Sequence, residues 1–385
     1  MSDLGPLEGV TVLDMTNVLA GPFAGYQLAQ LGARVIKVES LDGDLARQLG
    51  SDPARNQAKM GVSFTAQNAG KESIAVNLKT EQGRTIFYRL VTKAHVVIEN
   101  FRPGVMQRLE CDFKTLCKHN PNLVYCAISG FGQDGPMSHL PAYDQIVQGM
   151  SGTMQVTGTP EQGVRVGYPI ADTVGGLTAA MAISAALHKK TAQFIDVSML
   201  ESLMSTMGWV ISNFLQAGTE PQAWGNENPT SAPSGSFTTR DGDINIAANQ
   251  DAQWERLTHA IGIPELLADS RFLTREDRKA NRGILSELIN RRLMSESRDY
   301  WLARLEAANV PAGPIYTVAE ALSSAQIEYR GFVDQGRATR GFTLNGQRPS
   351  QSEPPTLGQH TQHILNQFGF SESEIEQLYF QGVVQ

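Results

Sequence analysis

A rhythm in the first half of the chain constrains its fold most. Short apolar, β-branched runs alternate with stretches of helical period. Residues 10–15 (VTVLDM), 34–39 (RVIKVE), 73–78 (SIAVNL), 95–101 (HVVIENF) and 123–130 (LVYCAISG) read as strands. Between them, GPFAGYQLAQLG and TEQGRTIFYRLVTKA read as helices. Parallel strands need a crossover, and helices are the usual crossover, so this alternation predicts an α/β fold with a helix-covered parallel sheet. FIDVSML (residues 194–200) is a further strand candidate, and ESLMSTMGWVISNFLQAG reads as one long apolar helix.

The texture changes near Gly218. GTEPQAWGNENPTSAPSGSFTTRDGD is rich in Pro, Gly, Ser and Asn and reads as a linker or long loop. The strand candidate INIAA and helical runs follow. We therefore expect a large domain over residues 1–218, a smaller α+β domain over 219–330, and a segment 331–385 that is loop and then helix. The ending EQLYFQGVVQ resembles a protease-cleavage scar, but SESEIEQLYFQGVV also reads as a terminal helix stopped at Gly382, and the native reading is preferred.

The formal net charge of −7 argues against general nucleic-acid binding, which needs a basic surface. It leaves room for an anionic ligand in a local basic pocket. The N-terminus has no signal-peptide pattern and no apolar run is long enough for a membrane span, so a cytoplasmic protein is expected. Cys111, Cys117 and Cys126 match no zinc spacing and read as reduced structural thiols.

Common catalytic motifs are missing. No strand–GxGxxG–helix unit and no GxxxxGK[ST] loop occurs, and GMSGT lacks the last glycine of a nucleophile elbow. His360 and His363 have no accompanying metal-ligating cluster and read as surface residues. One carboxylate stands out. In GYPIADTVGGLTAAM, Asp172 lies between a proline-containing loop and a run of small residues. From spacing alone it reads best as the N-cap of a buried helix. A helix start also stabilises an anion and offers free N–H groups, so a chemical role is compatible with that reading.

Nine stretches together carry a resemblance: GVTVLDMTNVLAGPFAG, LGARVIKVES, GDLARQLG, GKESIAVNLKT, VVIENFRPGVMQRL, NPNLVYCAISGFGQDGP, PAYDQIVQGMSG, PIADTVGGL and LGQHTQHIL. In this order the chain resembles the class III CoA-transferases, the family of formyl-CoA and carnitine CoA-transferases. The resemblance implies a Rossmann-like large domain built from both chain ends, a smaller inserted domain and an interlocked homodimer. It implies coenzyme A and acyl-CoA as substrates beside a small carboxylic acid, with no tightly bound cofactor and no metal.

It also implies that Asp172 is a nucleophile that forms a mixed anhydride and then an aspartyl-CoA thioester. Gly175 and Gly176 would give the thioester room to approach. Val18, Leu19 and Ala20 would lie along the wall of the site. Val76 and Lys79 would lie near the adenine and the ribose phosphate. Asn100, Phe101, Arg102 and Arg108 would hold CoA through backbone and phosphate contacts, and Tyr143 would stand near the pantetheine arm. Read as residues alone, Val76 and Phe101 are equally core candidates, and Lys79 and Arg108 are equally solvated charges. Arg47 is a weaker candidate near the substrate mouth.

Departures from the family's pattern bear on specificity. Leu19 replaces a catalytic glutamine of formyl-CoA transferase, Pro141 replaces its CoA-binding lysine, and residues 226–235 (NENPTSAPSG) replace its glycine run. The racemase branch carries a histidine before an aspartate where this chain has AYDQ, which favours transfer over racemisation. The remaining alternatives are an α-methylacyl-CoA racemase and a non-catalytic acyl-CoA-binding protein.

Overall fold

Six of the apolar runs become strands of one sheet in a computed structural model that describes residues 5–348, 350 and 352–385. The first four residues, on which the N-terminal reading partly rests, lie outside the described residues, as do Pro349 and Gln351 of the expected tail loop. The strands are β1 (Thr11–Asp14), β2 (Arg34–Glu39), β3 (Glu72–Ala75), β4 (Val96–Glu99), β5 (Val124–Ser129) and β6 (Gln193–Ser198). They lie in the order β3-β2-β1-β4-β5-β6, and every pair is parallel.

Buried β-branched residues point alternately to two apolar layers. Leu13, Ile36, Ile74 and Val97 pack on one face with helix α2 (Glu81–Val91) and the C-terminal helices Thr361–Gln367 and Glu372–Phe380. Val12, Val35, Val96 and Ile98 pack on the other with α1 (Ala20–Gln30) and α3 (Ile170–Ala186). The strand order reverses between β1 and β4. In open α/β sheets, ligands bind beyond the strand C-termini at such a point.

The chain divides into two compact units. The first is Met1–Met154, Arg165–Thr219 and Arg330–Gln385; the second is Gln155–Val164 with Glu220–Tyr329. The second unit has a three-stranded antiparallel sheet, β7 (Ser234–Thr238), β8 (Asp243–Ala247) and β9 (Ala312–Pro314), in the order β9-β8-β7. Helices Asp251–Ile261, Arg282–Leu293 and Arg298–Ala307 share its core, and the buried Trp301 donates its Nε1–H to the Leu293 carbonyl at 2.7 Å.

Three expectations about elements need correction. The long apolar stretch is two helices, α4 (Met199–Thr206) and α5 (Gly208–Ala217), broken at Met207. Ser205 and Thr206 donate their hydroxyls to the carbonyls of Ser202 and Leu203, which competes with the helix ladder just before a glycine. Met199 and Leu200 leave the strand run and start α4, capped by Ser198, whose Oγ accepts from Glu201 N at 3.2 Å. The loop reading of residues 218–243 ends early, because Ser234–Thr238 form β7 and Asp243 begins β8.

Polar side chains are fully buried beneath the strand ends. Lys71 Nζ pairs with Asp14 Oδ2 at 2.7 Å, and Lys37 Nζ with Asp44 Oδ2 at 2.9 Å. Arg47 grips Glu39 with Nε at 2.8 Å and Nη2 at 2.7 Å, and its guanidinium stacks 3.7 Å from the Phe64 ring centre. Arg47 also donates to the carbonyls of Lys59 and Pro355 and is 0% exposed, so it has no face left for a substrate. This corrects its placement at the substrate mouth. Burial opposes ionisation of Asp14, but Lys71 and Lys37 outweigh it and hold its carboxyl below the ordinary value.

Candidate active site

The ends of β1 and β4 are locked together at the reversal point. Asn17 N donates to Asn100 Oδ1 at 2.8 Å, and Asn100 Nδ2 donates to the Asn17 carbonyl at 2.8 Å. The next residue, Val18, adopts φ 68°, a left-handed conformation that costs a β-branched residue energy. Asp44 holds it there, since its Oδ1 accepts from Val18 N at 2.9 Å and from Ala46 N at 2.9 Å. Leu19 then caps α1, and Ala20 begins it.

A cleft of about 530 Å³ opens beyond these strand ends, lined in part by Asn17, Val76, Lys79, Phe101, Val105 and Arg108. That is a cofactor-sized space (~300–1,000 Å³). Val76, Lys79, Phe101 and Arg108 are thus brought together, and Asn100 braces the wall through Asn17. Val18, Leu19 and Ala20 follow Asn17 in the chain but do not line the cleft. Arg102 is exposed outside its lining, and Tyr143 is 70% exposed, also outside it. Lys79 and Arg108 form no ion pair among the described residues, which leaves two cations on the lining of the cleft.

Glu99, which sequence reasoning passed over, ends β4 and sits behind this wall. Its Oε2 accepts from Phe101 N at 2.8 Å, fixing the backbone that carries the ring. Burial pushes its carboxyl up to about 7. An acidic residue closing an apolar strand was the only available signal.

Asp172 lies in the first turn of α3, two residues after Ile170, so it is not the N-cap. The capping is done from elsewhere. Asp144, at the start of helix Asp144–Met150, accepts from Ala171 N at 2.8 Å and from Gln148 Nε2 at 2.7 Å. Gln148 Oε1 in turn accepts from Val166 N at 2.8 Å, tying down the loop before α3. Asp144 therefore satisfies the helix start and leaves the Asp172 carboxylate without a hydrogen-bond partner among the described residues. Burial, and secondarily the Asp144 charge, raise the Asp172 carboxyl to about 7. A largely desolvated, unpaired carboxylate is a stronger nucleophile than a solvated one.

Asp172 and Gly176 are four apart and share a helix face. A Cβ on Gly176 would stand 2.5 Å from the Ala20 carbonyl oxygen, and one on Gly175 would stand 3.0 Å from Met199 Cγ. Both glycines are consumed by helix packing. Gly176 brings α3 to backbone contact with the start of α1, and Gly175 seats Met199 at the start of α4, rather than opening space for a thioester, which corrects the expectation for them.

Residues 226–228 of the second unit line a separate depression of about 530 Å³ with Ser234, Gly235 and strand β8. His360 Nδ1 accepts from Ser73 N at 3.1 Å, and His363 bonds Gln367. No group of three or more potential metal ligands occurs among the described residues.

The Asp144–Asp172 arrangement makes a checkable prediction. Asp144→Asn keeps an acceptor for Ala171 N but removes the charge beside Asp172. The acidic limb of the pH–rate profile for kcat/KM should move to lower pH, and because the new amide cannot accept from Gln148 Nε2, Tm is recorded beside it to show that the variant is folded. An unmoved limb would contradict the coupling.

The comparisons with known proteins agree with this geometry. The profile of CoA-transferase family III matches residues 7–361. The chain is 36% identical to succinyl-CoA:glutarate CoA-transferase of Mus musculus, over 99% of this chain and 90% of that protein. It is 40% identical to acetyl-CoA:oxalate CoA-transferase of Acetobacter aceti, over 86% and 85%. A crystal structure of a CAIB/BAIF family protein from Brucella suis superposes with a TM-score of 0.86 at 35% identity, covering 95% of this chain and 100% of that one. With a parallel sheet reversed at β1 and β4, a cation-flanked cleft and a family match across nearly its whole length, the chain belongs to the class III CoA-transferases.

Proposed function

We propose that this enzyme moves CoA from an acyl-CoA to a small dicarboxylic acid through covalent catalysis at Asp172. The observation that carries this reading is the Asp172 carboxylate in the first turn of α3, unpaired among the described residues. Ionised Asp172 attacks the thioester carbonyl, the C–S bond breaks, and CoA thiolate leaves a mixed anhydride. The thiolate attacks the aspartyl carbonyl, releasing the donor acid and forming an aspartyl-CoA thioester. The acceptor carboxylate reverses both steps. Each exchange trades one carboxylate thioester for another, so the free energies nearly balance.

The names of the mouse and Acetobacter relatives support a short dicarboxylate, and succinyl-CoA is the donor to try first. Val76, Lys79, Asn100, Phe101 and Arg108 are read as the CoA-holding wall, with Arg102 and Tyr143 at its exposed margin and Val18, Leu19 and Ala20 facing the reacting end. Incubation with succinyl-CoA and a panel of short mono- and dicarboxylates should yield new CoA esters. Absence of exchange with every acid would overturn the reading. Arg108→Gln should raise KM for acyl-CoA by about tenfold with kcat nearly unchanged, since it removes one charge-assisted phosphate contact.

We further read the protein as a cytoplasmic homodimer with interlocked chains, whose second unit is the inserted small domain. No described helix is long and apolar enough to cross a membrane, and the three cysteines are free. Exposed Met181 on α3, and Trp209 (85% exposed) and Leu215 on α5, support burial against a partner. A monomer by light scattering would contradict the dimer.

A further inference from the structure

At the opposite end of the sheet from the cleft, the first unit holds a second cavity. It has a volume of about 300 Å³ and is lined by Gly5, Gln30, Gly32, Asn345, Arg340 and Arg348, among others. Gln30–Gly32 lead into the start of β2, whereas the CoA-side cleft lies beyond that strand's end.

Arg340 is only 5% exposed, and among the described residues its side chain bonds only neutral groups. It donates to the carbonyls of Gln30 (2.6 Å), Gln347 (3.2 Å) and Phe342 (3.2 Å). Arg348 donates to the carbonyls of Arg330 and Arg340 and to Thr339 Oγ1. Neither guanidinium meets a carboxylate among the described residues. Burial pulls the pKa of each below its ordinary value, followed by the Arg348 charge for Arg340 and the Arg330 charge for Arg348. A buried guanidinium beside a half-buried one, with no counter-charge among the described residues, is costly to fold around.

A third group faces the same space. Gln30 is 4% exposed, and its Oε1 accepts from Arg340 N at 2.7 Å. That bond fixes which end of the amide is which, and the Nε2 donor is left buried without a partner among the described residues. A buried amide N–H with no acceptor calls for one. The cavity thus joins two uncompensated guanidinium groups to an orphan donor, in a volume suited to a single small group.

We propose that this cavity binds a small oxyanion, such as phosphate or a short carboxylate, between Arg340, Arg348 and Gln30 Nε2. Phosphate suits it because its oxygens can accept from both guanidinium groups and the amide at once. The site is separate from the CoA-side cleft and independent of the role proposed for Asp172.

The test is thermal denaturation of the full chain in sodium phosphate, sodium succinate and sodium chloride of matched ionic strength. A saturable rise in Tm with phosphate or with succinate is expected, and the more effective anion names the source. Arg348→Gln should weaken the response about tenfold. Gln30→Glu puts a carboxylate where the anion would sit. It should raise Tm in anion-free buffer and abolish the response. Arg108→Gln, in the other cleft, should keep the response. If Arg348→Gln does not fold, Gln30→Glu decides. No response in the wild type overturns the proposal, as does an equal response in Gln30→Glu.

Discussion

Asp172→Ala should lose CoA exchange by at least about 10⁴-fold, the scale on which removal of a covalent nucleophile acts. Asp172→Asn should be equally inactive, because an amide of the same shape cannot form the anhydride. Neither change should unfold the protein, since the carboxylate holds no structural hydrogen bond among the described residues. Stability should move the other way. Burial and Asp144 raise the folded-state pKa of Asp172 to about 7, above its ordinary value of 3.8. The protonated form therefore favours the fold. That contribution is complete below the ordinary value and is lost as pH rises through about 7. Asp172→Asn should melt above the wild type at pH 8, and the gap should close near pH 4. Wild-type-like exchange in either variant would remove Asp172 from the chemistry.

The second large effect is on the fold beneath the site. Lys71→Met strands the Asp14 carboxylate, which is fully buried and pairs with Lys71 at 2.7 Å. Breaking a buried pair from one side costs about 3–5 kcal/mol. Lys71 also donates to the Pro22 carbonyl inside α1 at 2.8 Å and to Asn68 at 2.8 Å, so the loss should loosen the start of α1 and the Val18 turn with it. Urea denaturation should show the shift in midpoint. Asp14→Asn combined with Lys71→Met should recover much of the loss, because neither charge then remains unpaired. A single-variant cost below about 1 kcal/mol, the scale of an exposed pair, would show that the pair is not desolvated.

The strands were legible because their signal is local. RVIKVE needs only its own β-branched residues, and its bounds coincide with β2. The terminal helix was legible for the same reason: Ser371 and Glu374 form a capping box within one turn, and Gly382 turns left-handed at φ 66°. What escaped depends on residues distant in sequence. Nothing near Asp172 says that Asp144, 28 residues earlier, accepts the Ala171 N–H and takes over the capping expected of Asp172. Arg47 looked free because Glu39 and Pro355 come to it only through the fold. Gly176 looked like space because the Ala20 carbonyl that fills it belongs to another helix. Met207 breaks an apolar run through hydroxyl bonds whose effect hydropathy does not register. The cleft residues sit between these extremes. Val76, Lys79, Phe101 and Arg108 came from family motifs, and their meeting in one cleft follows from the order of β1 to β4.

The central claim is that Asp172 itself carries the acyl group and then CoA. In that route the acceptor carboxylate attacks the aspartyl-CoA carbonyl, and one of its oxygens remains on the aspartate when the product thioester forms. The enzyme should therefore be turned over with succinyl-CoA and an acceptor acid labelled with oxygen-18 in its carboxylates, then digested and sequenced by mass spectrometry. The account predicts label in the side chain of Asp172, one or two atoms according to the number of turnovers, and in no other residue. An unlabelled Asp172 after demonstrated exchange, or label on a different carboxylate, would contradict it.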